Sequence, residues 1–257
     1  MSSPHSTDVS REIARLTMAL QPVLELQSGQ IHGFEALLRG PEGCDVHPKK
    51  LLRRAQRERW LDELEGRAQA LAFLAAERFL KDQEVLFLNV EGRIPAVEER
   101  FRRLVVQISE DTLLQRNFIE RLQAEGLDLY IDNYGVDNGS IASILDIRPR
   151  GLTLDRSIVQ GIALDNRRFA IARTLNMLAR DLDIDVVAKG IETSDDLCAA
   201  RSAGFRLGQG YYLGRPTLEP NRFRLAATSR LLRGSVIEAV TLARSRSFPT
   251  QPGSEPV

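Results

Sequence analysis

The chain has 257 residues, enough for one large domain or two small ones, and its hydrophobic content of 43% is ordinary for a protein with a sizeable core. Basic and acidic residues number 35 each, so no net charge attracts it to DNA or anionic lipid. Two cysteines and three histidines exclude a disulfide framework and a histidine-based metal site. With no membrane-spanning run and no signal-peptide core in residues 1–8, we expect a cytoplasmic protein.

The first predicted elements are two short apolar strands joined by a tight turn. The strands cover residues 21–26 and 31–39, and Ser28 and Gly29 supply the turn between them. The second strand carries Glu35 and Arg39, a carboxylate and a guanidinium four residues apart. Because charged side chains take the place of turn residues where this strand ends, the pattern predicts functional groups at the rim of a sheet.

The middle of the chain alternates short apolar runs with segments of helical periodicity. Apolar spacing of three and four residues predicts helices at 51–80 (broken near Trp60), 112–124, 141–145, 169–182 and 195–203. The apolar runs predict strands at 85–88, 104–106, 127–131, 151–154 and 185–188. Strands and helices that alternate at this spacing predict parallel strands joined by crossover helices, and so an α/β fold.

Both ends of the chain differ in composition from the middle. Residues 1–10 are polar and residues 246–257 are rich in proline and serine, so we expect unstructured tails around a single domain at 11–245. Within that domain, residues 223–243 have the pattern of an amphipathic helix pair that packs on the rest of the domain or on a partner.

Each predicted strand stops at a polar residue. In order these residues are Glu35, Asn89, Gln107, Asp132, Asp155, Lys189 and Gln209. In a (β/α)8 barrel such positions meet at the C-terminal rim, where barrel enzymes have their active sites. The polarity of loops explains any one of them equally well, whereas seven in succession favour a shared site.

Several short motifs occur in a specific order over roughly residues 16–220. They are Gln21-Pro22, Glu35-Ala36-Leu37-Leu38-Arg39, Leu88-Asn89-Val90, Asp132-Asn133-Tyr134-Gly135, Leu154-Asp155-Arg156-Ser157-Ile158-Val159, Gly190-Ile191-Glu192-Thr193 and the stretch from Gly208 to Pro216. Together they resemble the EAL family, bacterial domains that bind and often hydrolyse cyclic di-GMP. The resemblance implies a (β/α)8, TIM-like barrel of the EAL type.

Active EAL domains resemble two-metal phosphodiesterases, in which carboxylates hold Mg²⁺ or Mn²⁺ and an activated water opens cyclic di-GMP to linear pGpG. The resemblance assigns residual metal-ligand positions to Glu35, Asn89, Asp132 and Glu192, and the family glutamine to Gln209. Four catalytic positions depart from the family. Glutamates are replaced by Gln107 and Lys189, the second acid of an Asp-Asp pair by Asn133, and a lysine by Thr153.

These departures change the charge of the site. The family pattern has six carboxylates and one lysine, a net charge of about −5, which suits two divalent cations. This chain keeps three carboxylates and adds Lys189, a net charge of −2. We therefore expect the Lys189 ammonium to replace a metal ion by pairing with Glu35, Asp132 or both. The alternative is that its side chain extends into solvent.

A partly separate set of positions matches family residues that contact the nucleotide. These are Gln21, Glu35, Leu37, Arg39, Asp155, Gln209, Arg215 and Pro216. Arg39 suits a phosphate because its planar fork makes two charge-assisted hydrogen bonds. The alternative is structural: Arg39 closes an ion pair within the barrel, and Gln21 caps a strand.

These observations predict a degenerate, stand-alone EAL domain that is catalytically inactive and holds no metal. We expect it to act in cyclic di-GMP signalling as a metal-free nucleotide receptor or as a protein-interaction module, with a protein partner or a second copy of the chain as its target. The alternative is a weak cyclic di-GMP phosphodiesterase that uses Mg²⁺ or Mn²⁺ in a reduced site.

Overall fold

The computed structural model describes residues 4–40, 48–96, 103–109, 111–135 and 141–223. Within them, strands β1 to β8 close into a barrel in chain order, which confirms the predicted α/β barrel. The strands are β1 Thr17–Glu25, β2 Ile31–Arg39, β3 Val85–Val90, β4 Leu104–Ile108, β5 Asp128–Tyr134, β6 Gly151–Leu154, β7 Asp185–Lys189 and β8 Leu207–Gln209.

Strand β1 runs antiparallel to both of its neighbours, β2 and β8, whereas all other neighbouring strands are parallel. The predicted hairpin accounts for this reversal. Only a short turn separates β1 from β2, and Gly29 within it has a φ of 73°. Because parallel neighbours need a crossover of a dozen or more residues, so short a turn can only reverse the chain.

Helices pack around the barrel, and all but the first lie in the connections between its parallel strands. They are α1 Pro4–Ala14, α2 Pro48–Glu58, α3 Leu61–Phe79, α4 Arg116–Ala124, α5 Ile141–Ile147, α6 Arg156–Val159, α7 Asn166–Asp181 and α8 Ser194–Ser202, with a 3₁₀ turn at Thr112–Leu114. The predicted break near Trp60 lies between α2 and α3, where Arg59 has a φ of 65°. In the described part of the chain, no helix is both long and apolar enough to cross a membrane.

The prediction of an unstructured tail at residues 1–10 is wrong from residue 4 onwards, because helix α1 begins there. Val9 and Ile13 lie one helical turn apart and pack against a buried cluster that includes Leu16, Leu51 and Trp60. Two apolar residues at this spacing attach an otherwise polar helix, a signal that overall composition hides. The predicted C-terminal tail and most of the 223–243 helix pair lie outside the described residues.

The barrel interior is built in two layers. An apolar layer fills the middle with one connected cluster: Val23, Val85, Phe87, Val105, Tyr130, Val187 and Leu207. The rings of Phe87 and Tyr130 meet edge to face with centroids 5.5 Å apart. A side chain at Gly151 would collide with Tyr130, because a Cβ there would lie 2.3 Å from the Tyr130 ring. This layer supports the polar layer at the C-terminal ends of the strands.

His32 is expected to make the stability of the barrel depend on pH. It lies on β2 beside Phe87, with ring centroids 6.1 Å apart. Burial lowers the pKa of His32, and the charges of Arg206 and Arg103 lower it further. The charges of Asp185 and Glu25 raise this pKa but do not cancel the fall. The unfolded chain therefore binds the proton more readily than the folded protein.

We expect the free energy of unfolding to fall as the pH drops below about 6.5, the ordinary histidine pKa, and this part of the fall to disappear in His32→Gln. Urea denaturation of both proteins at pH 5, 6 and 7 measures the difference between them. An identical pH dependence in the two proteins would show that His32 does not carry it.

Candidate functional site

A layer of polar side chains lies above the apolar layer, one from each of the eight strands: Gln21, Glu35, Asn89, Gln107, Asp132, Thr153, Lys189 and Gln209. In β3, β4, β5, β7 and β8, the polar residue follows a residue of the apolar layer by two positions, because alternate residues of a strand face the same side. The strand register places Asn89 opposite Gln107 and Lys189 opposite Gln209. Six of these eight are polar residues at which predicted strands ended, whereas Gln21 and Thr153 were named only through the family resemblance.

Asp155, the rim residue predicted for β6, does not belong to this layer. It lies beyond the end of β6 and caps helix α6, with its carboxylate accepting a hydrogen bond of 2.7 Å from the backbone N–H of Ser157. Thr153 occupies the inward position of β6 instead. The error arose because a polar residue after an apolar run shows where the strand ends. It does not show which residue of the strand faces the barrel interior.

The Lys189 ammonium lies between two buried carboxylates. Its Nζ donates to Asp132 Oδ1 at 2.6 Å and to Glu35 Oε1 at 3.2 Å. The three side chains are 14%, 10% and 6% exposed for Lys189, Asp132 and Glu35, respectively. The predicted pairing is thus confirmed with both carboxylates, and extension of the lysine into solvent is wrong.

The environment of Lys189 keeps it charged. Burial alone would lower the pKa of the ammonium, but the charges of Asp132 and Glu35 and their hydrogen bonds outweigh burial and raise the pKa above its usual range. A protonated lysine donates hydrogen bonds and accepts none. Lys189 therefore contributes a fixed positive charge and cannot act as a base near neutral pH.

All four residues that depart from the family pattern contact Asp132. Lys189 and the Thr153 hydroxyl donate to Oδ1, Gln107 Nε2 lies 3.5 Å from the same oxygen, and Asn133 Nδ2 donates to Oδ2 at 2.6 Å. The donors come from four different strands, since Asn133 follows Asp132 on β5. The sequence named these four positions as departures but held no signal that they meet on one carboxylate.

Glu35 completes the network on the opposite side of the barrel. Its Oε1 accepts from Asn89 Nδ2 at 3.1 Å and from Lys189, and its Oε2 accepts from Gln209 Nε2 at 2.8 Å. Hydrogen bonds thus run from β8 and β3 through Glu35 and Lys189 to Asp132. The upper layer is linked across the barrel by side chains alone.

A local irregularity in β5 orients Asn133. The pairing of β5 with β6 shifts between Ile131 and Tyr134, and Asn133 has a φ of 53°. Asparagine tolerates this left-handed conformation better than most residues do. The Asn133 backbone N–H donates to Thr153 Oγ1 at 3.0 Å, so the same hydroxyl holds both the backbone and Asp132.

The predicted nucleotide-binding positions divide into two groups. Gln21 is buried, and its Nε2 donates to the backbone oxygen of Gly214 at 3.0 Å, which ties the segment after β8 to β1. Arg39 is half-buried, and its Nη1 donates to the backbone oxygen of Leu38 at 2.9 Å. Leu37 and Pro216 are partly exposed. Gln21 therefore has a structural contact, whereas Arg39 makes no ion pair among the described residues.

An exposed aromatic residue that the sequence did not single out lies next to this second group. The guanidinium carbon of Arg215 lies 4.2 Å from the centroid of the Tyr211 ring, and both side chains are exposed. Burial lowers the pKa of Arg39, while the nearby Tyr211 and Glu35 oppose that shift. Arginine stays protonated in proteins, so two cationic forks lie near an aromatic ring at the rim.

The donor set does not suit divalent metal ions. Among the described residues, no group of three or more histidine, cysteine, aspartate or glutamate side chains is gathered to hold one. Mg²⁺ and Mn²⁺ prefer several oxygen ligands, usually with carboxylates among them. Here two carboxylates share an ammonium and are surrounded by hydroxyl and amide donors.

The family model described as "EAL domain" matches residues 7–216. The chain belongs to the EAL domain family. Its motifs at Glu35-Ala36-Leu37, Asp132-Asn133 and Gly208-Gln209-Gly210 lie within the matched range. The sequence-based assignment to the EAL family is confirmed.

The chain is 28% identical over 256 residues to the cyclic di-GMP phosphodiesterase NbdA of Pseudomonas aeruginosa, covering 90% of this chain and 32% of NbdA. The chain spans between 27% and 32% of the length of three curated relatives, which are NbdA, an uncharacterized signaling protein of Caulobacter vibrioides and the oxygen sensor protein DosP of Escherichia coli.

Two solved structures share the fold. Klebsiella pneumoniae BlrP1 with manganese and cyclic di-GMP has a TM-score of 0.68 and 23% identity, over 79% of this chain and 56% of BlrP1. A standalone EAL protein from Vibrio cholerae with cyclic di-GMP bound has a TM-score of 0.65 and 22% identity, over 79% of this chain and 93% of that protein. At these identities the likeness establishes the barrel and nothing finer.

Proposed function

We propose that this EAL domain is a metal-free receptor for cyclic di-GMP that does not hydrolyse the nucleotide. The observation that supports the proposal is the Lys189 ammonium between Glu35 and Asp132. In this arrangement an organic cation lies where the two carboxylates meet at the centre of the barrel mouth and offsets one of their two negative charges. Solved EAL relatives with cyclic di-GMP bound make this nucleotide the first ligand to test.

Electrostatics opposes metal-dependent hydrolysis at this site. A divalent cation a few ångströms from the Lys189 ammonium would be repelled by several kcal/mol at an effective dielectric constant of about 20. The ammonium cannot take a proton from water, and both carboxylates already accept several hydrogen bonds. Within the residual set of Glu35, Asn89, Asp132 and Glu192, the two buried carboxylates are therefore not free to activate a nucleophile.

Nucleotide recognition would rest on cations other than Lys189, whose charge is already shared between two carboxylates. Arg39 is half-buried at the end of β2, and the guanidinium carbon of Arg215 lies over the exposed Tyr211 ring, 4.2 Å from its centroid. Guanidinium forks bind phosphate oxygens in pairs, and aromatic faces stack on bases. These two chemistries suit a ligand that carries both phosphates and purines.

Calorimetric titration of cyclic di-GMP, once with Mg²⁺ and once with EDTA, tests the proposal. We expect saturable binding that EDTA leaves unchanged. Arg39→Ala should weaken it at least tenfold, because a charge-assisted contact to phosphate is lost. Arg180, which is exposed in the last turn of α7 at the opposite end of the barrel, provides the control variant Arg180→Ala.

The other outcomes distinguish the remaining functions. Binding that requires Mg²⁺, with heat that continues after each injection, would indicate turnover and support the weak phosphodiesterase that the sequence analysis left open. An absence of binding heat in both buffers would overturn the proposal that the domain is a cyclic di-GMP receptor. The domain would then act by binding a protein partner or a second copy of itself.

A further inference from the structure

The contacts of Asp132 indicate that neutral side chains, in addition to Lys189, influence which cation binds at the site. Its two oxygens receive three hydrogen bonds, from Lys189, Thr153 and Asn133, and a longer contact from Gln107. Each carboxylate oxygen offers about two lone pairs, so Oδ1 has none to spare for a metal ion. Three of the four donors are neutral and would remain if the lysine were removed.

Charge alone does not explain why a metal ion would not bind at this site. Without Lys189, the Glu35 and Asp132 carboxylates would match the charge of one divalent cation. A cation of that kind needs oxygen lone pairs directed at it, whereas N–H and O–H groups of Thr153, Asn133 and Gln107 point at Asp132. A primary ammonium needs only one lone pair from each carboxylate, and the Lys189 ammonium binds one oxygen of Glu35 and one of Asp132.

We infer that Thr153, Asn133 and Gln107 are positioning residues that make the Glu35–Asp132 site select a primary ammonium over a divalent cation. This inference rests on the metal-free function proposed above, and it assigns the metal exclusion to neutral side chains as well as to Lys189. The site is thus a binding site for an alkylammonium group that the chain fills with its own lysine.

Thr153 has the central position among the three. Its side chain is fully buried, and its hydroxyl donates to Asp132 while it accepts from the backbone N–H of Asn133. Removal of this hydroxyl would free a lone pair on Asp132 Oδ1 and loosen the left-handed turn at Asn133. Thr153→Val removes the hydroxyl at nearly constant volume, and Thr153→Ser keeps it.

Chemical rescue of Lys189→Ala tests the inference, because n-propylammonium has the three carbons and the amine that this substitution deletes. We expect propylammonium to raise the melting temperature of Lys189→Ala saturably and to leave the wild type unchanged. The controls 1-propanol, which lacks charge, and tetramethylammonium, which lacks N–H donors, should give no saturable shift. Mn²⁺ should give none in Lys189→Ala and a clear one in Lys189→Ala/Thr153→Val.

Two results of this experiment would overturn the inference. The first is stabilisation of Lys189→Ala by Mn²⁺ to the same extent as the double variant, since the neutral donors would then exclude nothing. The second is an absence of rescue by propylammonium in folded Lys189→Ala.

A second measurement does not depend on the folding of Lys189→Ala. Acetylation rates of Lys189 are compared with those of the exposed Lys81 in the same sample by mass spectrometry. We expect Thr153→Val to raise the relative rate at Lys189 about tenfold and Thr153→Ser to leave it near the wild-type rate. Equal rates in all three proteins would contradict a positioning role. Neither measurement uses nucleotide. A negative result here therefore does not decide the receptor proposal, which the calorimetric titration of cyclic di-GMP tests separately.

Discussion

Lys189→Glu is expected to lower the free energy of unfolding by about 3–5 kcal/mol, the range found when one partner of a buried ion pair is removed. For a domain of this size that corresponds to a fall in melting temperature of roughly 10 °C. The ammonium donates to Asp132 and Glu35, which are almost fully buried, and the substitution adds a third carboxylate between them. Like charges at such distances repel strongly where water cannot screen them.

The measurement is thermal and urea denaturation in the presence of EDTA, so that no contaminating metal neutralises the carboxylates. Lys50→Glu reverses the charge of an exposed lysine on α2 and serves as the matched control, with an expected change within about 0.5 kcal/mol. Because acid weakens the repulsion among crowded carboxylates, the stability of Lys189→Glu should increase as the pH falls. A variant as stable as the control in EDTA would show that Lys189 does not balance these charges.

The fourfold variant Gln107→Glu/Asn133→Asp/Thr153→Lys/Lys189→Glu is expected to hydrolyse cyclic di-GMP to pGpG with Mn²⁺ at least about 100-fold faster than the wild type. That factor is the lower end of what one positioned acid–base group contributes. The changes restore six carboxylates and one lysine. Three of the four residues that contact Asp132 become acids, and Thr153→Lys supplies the lysine. The positive charge thereby moves from β7 to the neighbouring β6.

Product analysis by chromatography measures the effect, and the triple variant that retains Lys189 is the matched control. We expect the triple variant to be inactive, because its ammonium still lies between Glu35 and Asp132 and repels a metal ion. Hydrolysis by the wild type itself would end the proposal of an inactive domain. Failure of the correctly folded fourfold variant would show that the divergence extends beyond these side chains.

Local patterns in the sequence were sufficient for the framework of the site. The turn at Ser28-Gly29 predicted the antiparallel start of the barrel, and apolar runs ending in Glu35, Asn89 and Gln107 predicted the polar rim. These signals are local because alternation along a strand and turn geometry depend on a few neighbouring residues. The same locality explains two errors: Asp155 was assigned to the rim, and the helix that contains Val9 and Ile13 was missed.

By itself, the sequence determined the EAL family, the barrel and the net charge of the residues at the site, since residue identities decide motifs and charge. Only the tertiary structure decided that Lys189 contacts Glu35 and Asp132 together, and that Gln107, Asn133 and Thr153 converge on Asp132. Lys189 and Glu35 lie 154 residues apart in the chain, and closure of the barrel brings them within 3.2 Å. The choice of partners in such a network depends on strand facing and on the irregular turn at Asn133, which emerge only when all eight strands pack around one interior.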